Sequence, residues 1–410
     1  MSKIKISKII YREDLYPRFK LNQKLIEKYS NSIEYLPPII INQDDILIDG
    51  LHRMQAYKLA GLNEISYETE KTKSEKELKK LAYRLNSNHG FQLSNEEKRQ
   101  FAIEMIGEMK AEELAEILSV SKRIIEYWTK NKRDELDAQR NQKILKLYLR
   151  AENTQEKIAD LIGMSEEAIR LIINKFPNNR KFSENWETFK PIIYNVWNLG
   201  KKSEDDLDFF GVFPQIFMEN LIYYHTEPYD IIYDPFAGSG TTIDVCQKWL
   251  RRYYCSDMNV KPGREDSIKQ WKIQDGLPDN LPKPALVFLD PAYWIQAKNK
   301  YSESSDDLAN IELNKFYSIF NNFLKLLINW KIKKIAIVIA PTQYPNKNHE
   351  FEDHIFKFHE ILSNKYKIEM RYVLPYSTEQ YNGTQVEIMK KEKNAINLIR
   401  DLVIWDLMKE

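Results

Sequence analysis

Cysteine occurs only twice in 410 residues, at Cys246 and Cys255, too few and too isolated for a disulfide framework or a cysteine-built zinc site. Both read as buried thiols. Histidine is scarce as well, and His349, His354 and His359 stand five apart, which puts successive rings on different helical faces, unlike the i, i+4 spacing of metal-binding pairs. No metal is expected. No apolar run approaches the roughly 18 residues of a membrane span. The opening MSKIKISKIIYRED is charged throughout and has no apolar segment before a small-residue cleavage site, so it does not read as a signal peptide. The cytoplasm is the expected location. Neither sign of charge is in excess: 61 Lys and Arg against 60 Asp and Glu leave +1, so only the distribution of charge can speak about nucleic acid. What remains is a chain 43% hydrophobic and 30% charged, ordinary for a globular protein, and at roughly 100–200 residues per domain its length allows two to four domains.

Composition and pattern divide the chain into three zones: 1–90, 91–178 and 179–410. In the first, IIINQDDILIDG predicts two short strands around an Asp-Asp turn, RMQAYKLAGL a helix ended by Gly61, and ISY a further strand. The second is helical in pattern, polar, and nearly free of Pro and Gly. The third follows the turn-rich FPNNRKFSEN and alternates strands (DIIYD, YYCSD, ALVFLD, KIAIVIA) with helices (IDVCQKWL, NKFYSIFNNFLKLLI), which predicts a parallel α/β sheet.

The middle zone repeats itself. Setting EELAEILSVSKRIIEYW over EKIADLIGMSEEAIRLI pairs Leu114 with Ile158, Ala115 with Ala159, Ser121 with Ser165 and Ile125 with Ile169. Each unit is an apolar helix with a small alanine, a short turn, and a second helix whose serine caps the orphan N–H groups of its first turn. Each resembles a helix-turn-helix, where the alanine lets two helices approach closely. The second helix of the first unit carries Lys122, Arg123, Tyr127 and Lys130, able to reach phosphates and base edges. The second unit instead opens with Glu166 and Glu167, poor neighbours for phosphates, and reads as structural. Between Lys122 and Arg150 nine basic residues stand against four acids, interleaved with aromatic rings, an electrostatic footprint suited to DNA. A solvated helical face is the plain alternative.

In the first zone, LIDGLHRMQAY puts Gly50 in a tight turn, with His52 and Arg53 at a helix N-terminus, where backbone N–H groups and the helix dipole favour a phosphate. This stretch, with LNSNHGFQLSNEEK, resembles the amino-terminal domain of the ParB and sulfiredoxin superfamily, an α+β fold. Sulfiredoxins place a reactive cysteine beside the His-Arg pair, where this chain has Leu51, so peroxiredoxin repair is excluded. The resemblance to ParB implies CTP at Gly50, His52 and Arg53, and implies self-association as a homodimer. Equally open are a grip on DNA backbone and a structural ion pair for Arg53.

The third zone carries the chemistry. DPFAGSGTT places Asp234 at a strand end, then Pro235, Phe236, Gly238, Gly240 and Thr241 in a turn that opens a helix, and such glycines let a ligand approach the backbone. The loop lacks the lysine and the length of a phosphate-binding P-loop. YYCSD ends at Asp257, where an acid can accept from ribose hydroxyls, and WKIQDG offers Asp275 to an adenine amino group. ALVFLDPAYW ends a buried run at Asp290, followed by Pro291, Tyr293 and Trp294. Acids thus fall at the carboxyl ends of successive candidate strands, where open α/β sheets bind ligands.

DPFAGSGTT and DPAYW, in that order, resemble the cofactor loop and catalytic motif of the amino-methylating DNA methyltransferases. The resemblance covers about residues 213–405, and FPQIFMENLIYYHTEPYD looks like the family's helix that closes over the cofactor. It implies a Rossmann-like class I methyltransferase sheet, S-adenosylmethionine as cofactor, and double-stranded DNA as partner. Its catalytic chemistry would use the Asp290 carboxylate and the Pro291 carbonyl to accept the hydrogens of an exocyclic amine, with Tyr293 and Trp294 stacking on a base turned out of the duplex. The family has a second proline where this chain has Ala292, which keeps the Pro291 carbonyl but removes a φ constraint. Adenine is the favoured target and cytosine's amine the competitor. The other class of function is a DNA-binding, partition-like or regulatory protein on a silent methyltransferase scaffold.

Overall fold

The computed structural model describes residues 2–15, 21–88, 93–177, 187–199, 214–292, 294, 304–343, 351–375 and 383–409. The fold is mixed α/β, and the chain forms two compact units, Met1–Arg140 and Asn141–Glu410. The boundary falls inside one 20-residue helix, Lys130–Leu149, so the first helix pair of the repeat belongs to one unit and the second pair to the other.

The first unit begins with a four-stranded mixed sheet built from β1 (Lys3–Lys5), β2 (Ile39–Ile41), β3 (Leu47–Asp49) and β4 (Glu64–Thr69) in the order β1-β4-β2-β3. β2 and β3 flank the Asp-Asp turn, where Asp45 takes a left-handed φ of 60°, and they pair antiparallel. Helix α1 (Gln23–Ser30) precedes this pair, and α2 (Leu51–Leu59) follows it, with Gly61 just beyond its end. Ile39, Ile41, Leu47, Leu51, Met54 and Ile65 form the core between sheet and helix. Helices α3 (Glu75–Asn88), α4 (Asn95–Met105), α5 (Ala111–Leu118) and α6 (Lys122–Trp128) follow, with α7 (Lys130–Leu149) leading out. Their core centres on Phe101, Met105, Leu114, Leu118 and Ile125.

The second unit opens with α8 (Gln155–Ile162) and α9 (Glu166–Ile173), then α10 (Gln215–His225). The sheet strands are β5 (Ile231–Asp234), β6 (Arg252–Asp257), β7 (Ile268–Gln270), β8 (Leu286–Leu289) and β9 (Lys334–Ile339). Helices α11 (Thr241–Lys248) and α12 (Leu313–Asn329) cross over between strands. A short antiparallel pair, β10 (Thr342–Gln343) and β11 (Phe351–Glu352), leads to α13 (His354–Leu362). β12 (Tyr366–Pro375), α14 (Gly383–Lys391) and β13 (Ile399–Leu407) complete the unit. The seven-stranded order is β12-β13-β9-β8-β5-β6-β7. β9, β8, β5, β6 and β7 run parallel, as the strand and helix alternation predicts. β13 is the exception, antiparallel to both its neighbours, so the sheet is not wholly parallel.

β8 and β9 are apolar along nearly their whole length because both faces of a parallel sheet are covered. α12 supplies much of that cover: Phe316, Phe320, Phe323, Leu324 and Leu327 recur at helical spacing and are all buried. At roughly 1.5–3 kcal/mol per fully buried large side chain, this one face anchors the helix. Cys246 and Cys255 are free, buried thiols. Among the described residues no helix is long and apolar enough to cross a membrane.

Candidate active site

The carboxyl ends of β5, β6 and β8 meet around a single cavity of about 320 Å³. Asp234 closes β5 and is 2% exposed. Its Oδ1 accepts from the Phe236 N–H at 2.9 Å, and its Oδ2 from the Thr242 hydroxyl at 2.5 Å, so the acid ties strand, turn and helix together. Burial pushes its pKa up to about 7 against those two donors, and the nearby charge of Asp257 adds to the rise. Within the turn, Gly238 has φ +52° and Gly240, the N-cap of α11, has φ +91°. A Cβ at Gly240 would also stand 3.1 Å from the Arg264 guanidinium, which a bidentate pair with Asp244 holds in place at 3.0 and 2.7 Å.

Asp257, at the end of β6, accepts from the Gly238 N–H with Oδ2 and from the Asn259 N–H with Oδ1, both at 2.8 Å. It therefore fastens the glycine turn to the next strand. Its pKa is raised, chiefly by burial. Asp234, Pro235, Phe236, Gly238, Thr241 and Asp257 all line the cavity. Gly240 shapes the turn without lining it, and Asp275 stands outside at the end of the 3-10 turn Ile273–Asp275, whose Ile273 and Gln274 do reach the cavity.

β8 delivers Asp290 to the same cavity, half-buried, with Pro291 buried behind it. Ala292 lines the cavity and packs against the aromatic core around α12. Tyr293 lies outside the described residues. Trp294 departs from the expected stacking role: it is buried, its indole N–H donates to the Ile311 carbonyl at 2.7 Å, and its ring lies edge-on to His354. The core holds that ring, so it offers no face to a base. His354 is itself enclosed, with Nε2 against the Thr342 hydroxyl at 2.9 Å and Nδ1 against the Tyr317 hydroxyl at 2.8 Å. Its pKa is lowered by burial to about 4, so it is neutral near pH 7.

Phe217 and Met218 of α10 line the cavity, in the stretch that resembles a cofactor-closing helix. Sequence reasoning missed Lys261, Trp271 and the segment Asp306, Asp307 and Leu308, which also line it. SESSDDLAN reads as a solvated loop and contains no motif that would mark it.

In the first unit, Ser121 caps α6 and Ser119 takes the left-handed turn before it, at φ +50°. Arg123, Tyr127 and Lys130 are exposed, Tyr127 by 80%, and Tyr127 and Lys130 line a groove with Asn95, Glu96, Arg99 and Trp128. Lys122 is exposed too but paired with Glu112 at 2.6 Å and Glu126 at 3.6 Å. In the second helix pair Ser165 caps α9 as Ser121 caps α6, Thr154 caps α8 where α5 has no side-chain cap, and Gly163 stands at φ +74° between the helices. This pair is bound into the second unit: the Arg252 guanidinium donates to the carbonyls of Tyr148, Ala151 and Asn153, and the Tyr229 hydroxyl donates to the Ile173 carbonyl.

At the Gly50 turn, φ is +107° and a Cβ would stand 2.6 Å from the Ile39 side chain, so the position admits glycine alone. His52 is buried and its Nε2 accepts from the Asn22 N–H. Arg53 pairs with Asp49 at 2.5 Å and donates to the carbonyls of Pro37 and Pro38. This is the structural ion pair that the sequence left open as one reading of Arg53.

A glycine turn after the first parallel strand, acids at neighbouring strand ends and an enclosed cavity define an α/β unit built to hold a small ligand at the carboxyl edge of its sheet. A family model described as DNA methylase, of the N6/N4 type, matches residues 2–262. The chain belongs to this DNA methylase family. The match takes in Asp234, the glycine turn and Asp257 and ends before Asp290. Among solved structures, the chain is similar to the C-terminally truncated chromosome-partitioning protein ParB from Caulobacter crescentus, complexed to the centromeric parS site. The identity is 18%, over 32% of this chain and 70% of that one, with a TM-score of 0.26. A SAM dependent methyltransferase from Archaeoglobus fulgidus is 11% identical over 47% of this chain and 92% of that one, with a TM-score of 0.29. An rRNA methylase from Streptococcus thermophilus is 11% identical over 48% and 99%, with a TM-score of 0.27. No curated protein sequence matches the chain.

Proposed function

We propose that this DNA methylase transfers a methyl group from S-adenosylmethionine to the exocyclic amine of adenine in double-stranded DNA, with the target base turned out of the duplex. The observation that carries the reading is the meeting of Asp234, Gly238, Asp257 and Asp290, from the ends of three neighbouring parallel strands, on one cavity. The cavity fits the cofactor. Phe217, Phe236 and Trp271 offer apolar rings to a nucleoside, Gly238 lets it approach the backbone, and the acids suit a cationic group. When bound, the cofactor supplies an electrophilic methyl group on a sulfonium. Asp290 and the Pro291 carbonyl each accept one amine hydrogen, which turns the nitrogen lone pair out of the ring's conjugation. Tyr293 stacks on the turned-out base and offsets an unstacking cost of a few kcal/mol. Trp294 serves from below, fixing the loop through Ile311 and His354.

Transfer of labelled methyl to mixed-sequence double-stranded DNA, followed by nucleoside analysis, tests this. Methylated adenine is the expected product. Methylated cytosine would keep the mechanism and change the target, whereas cofactor binding with no transfer would favour the DNA-binding scaffold.

We assign target recognition to residues 1–90 and the first helix pair within 91–178, and the chemistry to 179–410. Because Lys122 is already paired with two glutamates, the phosphate contacts are assigned to the exposed Arg123 and Lys130. Arg123→Ala with Lys130→Ala is expected to weaken DNA binding about tenfold and lower the salt slope by roughly 0.9 per lost contact. Lys122→Ala should cost less. Anisotropy titrations across a salt series measure both, and an unchanged slope would return α6 to a packing role. CTP at Gly50, His52 and Arg53 is a proposal that rests on the ParB resemblance; His52 accepts from the Asn22 N–H and Arg53 pairs with Asp49. Self-association as a homodimer is a proposal that rests on the ParB resemblance alone.

Asp234 should make cofactor affinity depend on pH. Its folded pKa, about 7, lies above the ordinary carboxylate value, so below that pH the folded apo protein holds a proton that the unfolded chain has lost. Its contribution to stability therefore falls as pH rises from about 4 to about 7. A cationic ligand prefers the ionised form, so affinity rises through the same point, by about tenfold between roughly pH 6 and pH 8. Calorimetric titration at both pH values, in buffers of different ionisation enthalpy, would show the gain and the accompanying proton release. A flat profile would detach Asp234 from the cation.

A further inference from the structure

We propose that Asp307 is a cofactor-binding residue whose charge makes the cavity favour the sulfonium cofactor over its neutral thioether product. The proposal rests on the reading of the cavity as the S-adenosylmethionine site.

The segment behind the catalytic motif returns to the cavity wall and is fastened there. The Asp306 carboxylate pairs with Lys272 at 2.9 Å, and its carbonyl accepts from the Gln274 side-chain amide at 2.8 Å. Lys272 and Gln274 line the same cavity, so the wall is closed by its own neighbours. Asp307 then turns on itself: its Oδ1 accepts from the Ala309 N–H at 2.9 Å, and its carbonyl accepts from the Asn310 N–H at 2.9 Å. The result is a carboxylate only 4% exposed on the wall of a ligand-sized cavity.

Charge decides what that carboxylate does. Among the described residues, Asp234, Asp257, Asp290, Asp306 and Asp307 line the cavity with Lys261 and Lys272. Lys272 is matched by Asp306, and among the described wall residues acids outnumber cations. The charge of Asp307 also contributes, well after burial, to the raised pKa of Asp257. S-adenosylmethionine carries one net positive charge. The thioether product has lost it, while keeping an ammonium and a carboxylate that cancel at a distance. Removing one wall carboxylate should therefore weaken the cofactor and leave the product nearly untouched.

Asp307→Asn keeps an oxygen for the Ala309 N–H and removes only the charge. Calorimetric titration of the full chain with S-adenosylmethionine and with S-adenosylhomocysteine should show the first about tenfold weaker and the second within about twofold of wild type. Retained product binding doubles as evidence of folding, and Asp307→Ser serves if the asparagine variant does not fold. Equal weakening of both ligands would make Asp307 merely structural and overturn the proposal, as would no change in either. If the wild-type chain bound neither ligand, the cofactor reading itself would fall, and that failure is distinguishable from the others.

Discussion

Asp290→Ala is expected to lower kcat for methyl transfer by about 10²- to 10⁴-fold and to leave cofactor affinity within about tenfold of wild type. An exocyclic amine is a weak nucleophile because its lone pair is delocalised into the ring. Something must hold its hydrogens and take up positive charge as the nitrogen attacks. Asp290 ends β8 on the cavity that the β5 turn also lines, half-buried, with Pro291 buried behind it. In the proposed reading the cofactor is held by the turn that Asp234 and Asp257 organise and by Asp307, so binding should largely survive. Asp290→Asn is nearly isosteric, yet one of its two heads is a donor facing the amine's own donors, and it should be almost as damaging. Single-turnover transfer with cofactor already bound, beside calorimetry, separates the two effects. Retention of more than about a tenth of the wild-type rate would remove Asp290 from the chemistry.

What the sequence made legible were features encoded by neighbours in the chain. The glycine turn needs backbone freedom at Gly240 and short-range hydrogen bonds from Thr242 and Phe236 to Asp234, all within nine residues. The helix pairs declare themselves through serine caps and a small alanine. β8 and β9 declare themselves through unbroken apolar runs. What stayed hidden depends on distant partners. Nothing in IRDLVIWDL says that β13 inserts antiparallel between β9 and β12, because strand direction is set by the connections. Trp294, four residues past Asp290, looked like a stacking ring, and only Ile311 and His354 show that the core claims it. Asp307 sat in a polar stretch with the composition of a surface loop. Lys122 looked like a phosphate contact until Glu112 appeared beside it.

Arg251→Met is expected to destabilise the second unit by about 2–4 kcal/mol, lowering its Tm by roughly 5–15 °C. Arg251 is 0% exposed, and burial lowers its pKa to about 10, so it remains charged near pH 7. Its guanidinium spends its donors on one place in the fold. Nε donates to the Thr226 hydroxyl at 3.0 Å, Nη1 to the Trp249 carbonyl at 2.7 Å, and Nη2 to the carbonyls of Thr226 and Ile222 at 2.7 and 3.4 Å. Those acceptors lie at the carboxyl end of α10 and in the turn before β6, where the helix dipole favours a cation. A methionine fills the space but takes the guanidinium donors from the Thr226 and Trp249 carbonyls, each loss costing about 1–3 kcal/mol, while Ile222 keeps the Thr226 N–H and hydroxyl; the cost is partly offset by the desolvation no longer imposed on a buried charge. Lysine would keep the charge and lose the fork, so it should rescue only in part. Because Phe217 and Met218 carry α10 to the cavity, the loss should also weaken cofactor binding at temperatures well below the melt. A melt followed by near-ultraviolet circular dichroism, with cofactor titration alongside, reads both, and a Tm within about 2 °C of wild type would show that the fork is dispensable. The adjacent Arg252 is put to a different use, holding residues 148–153 against the sheet, so two consecutive arginines fasten two different helical elements to one strand. Local sequence alone could not have told them apart.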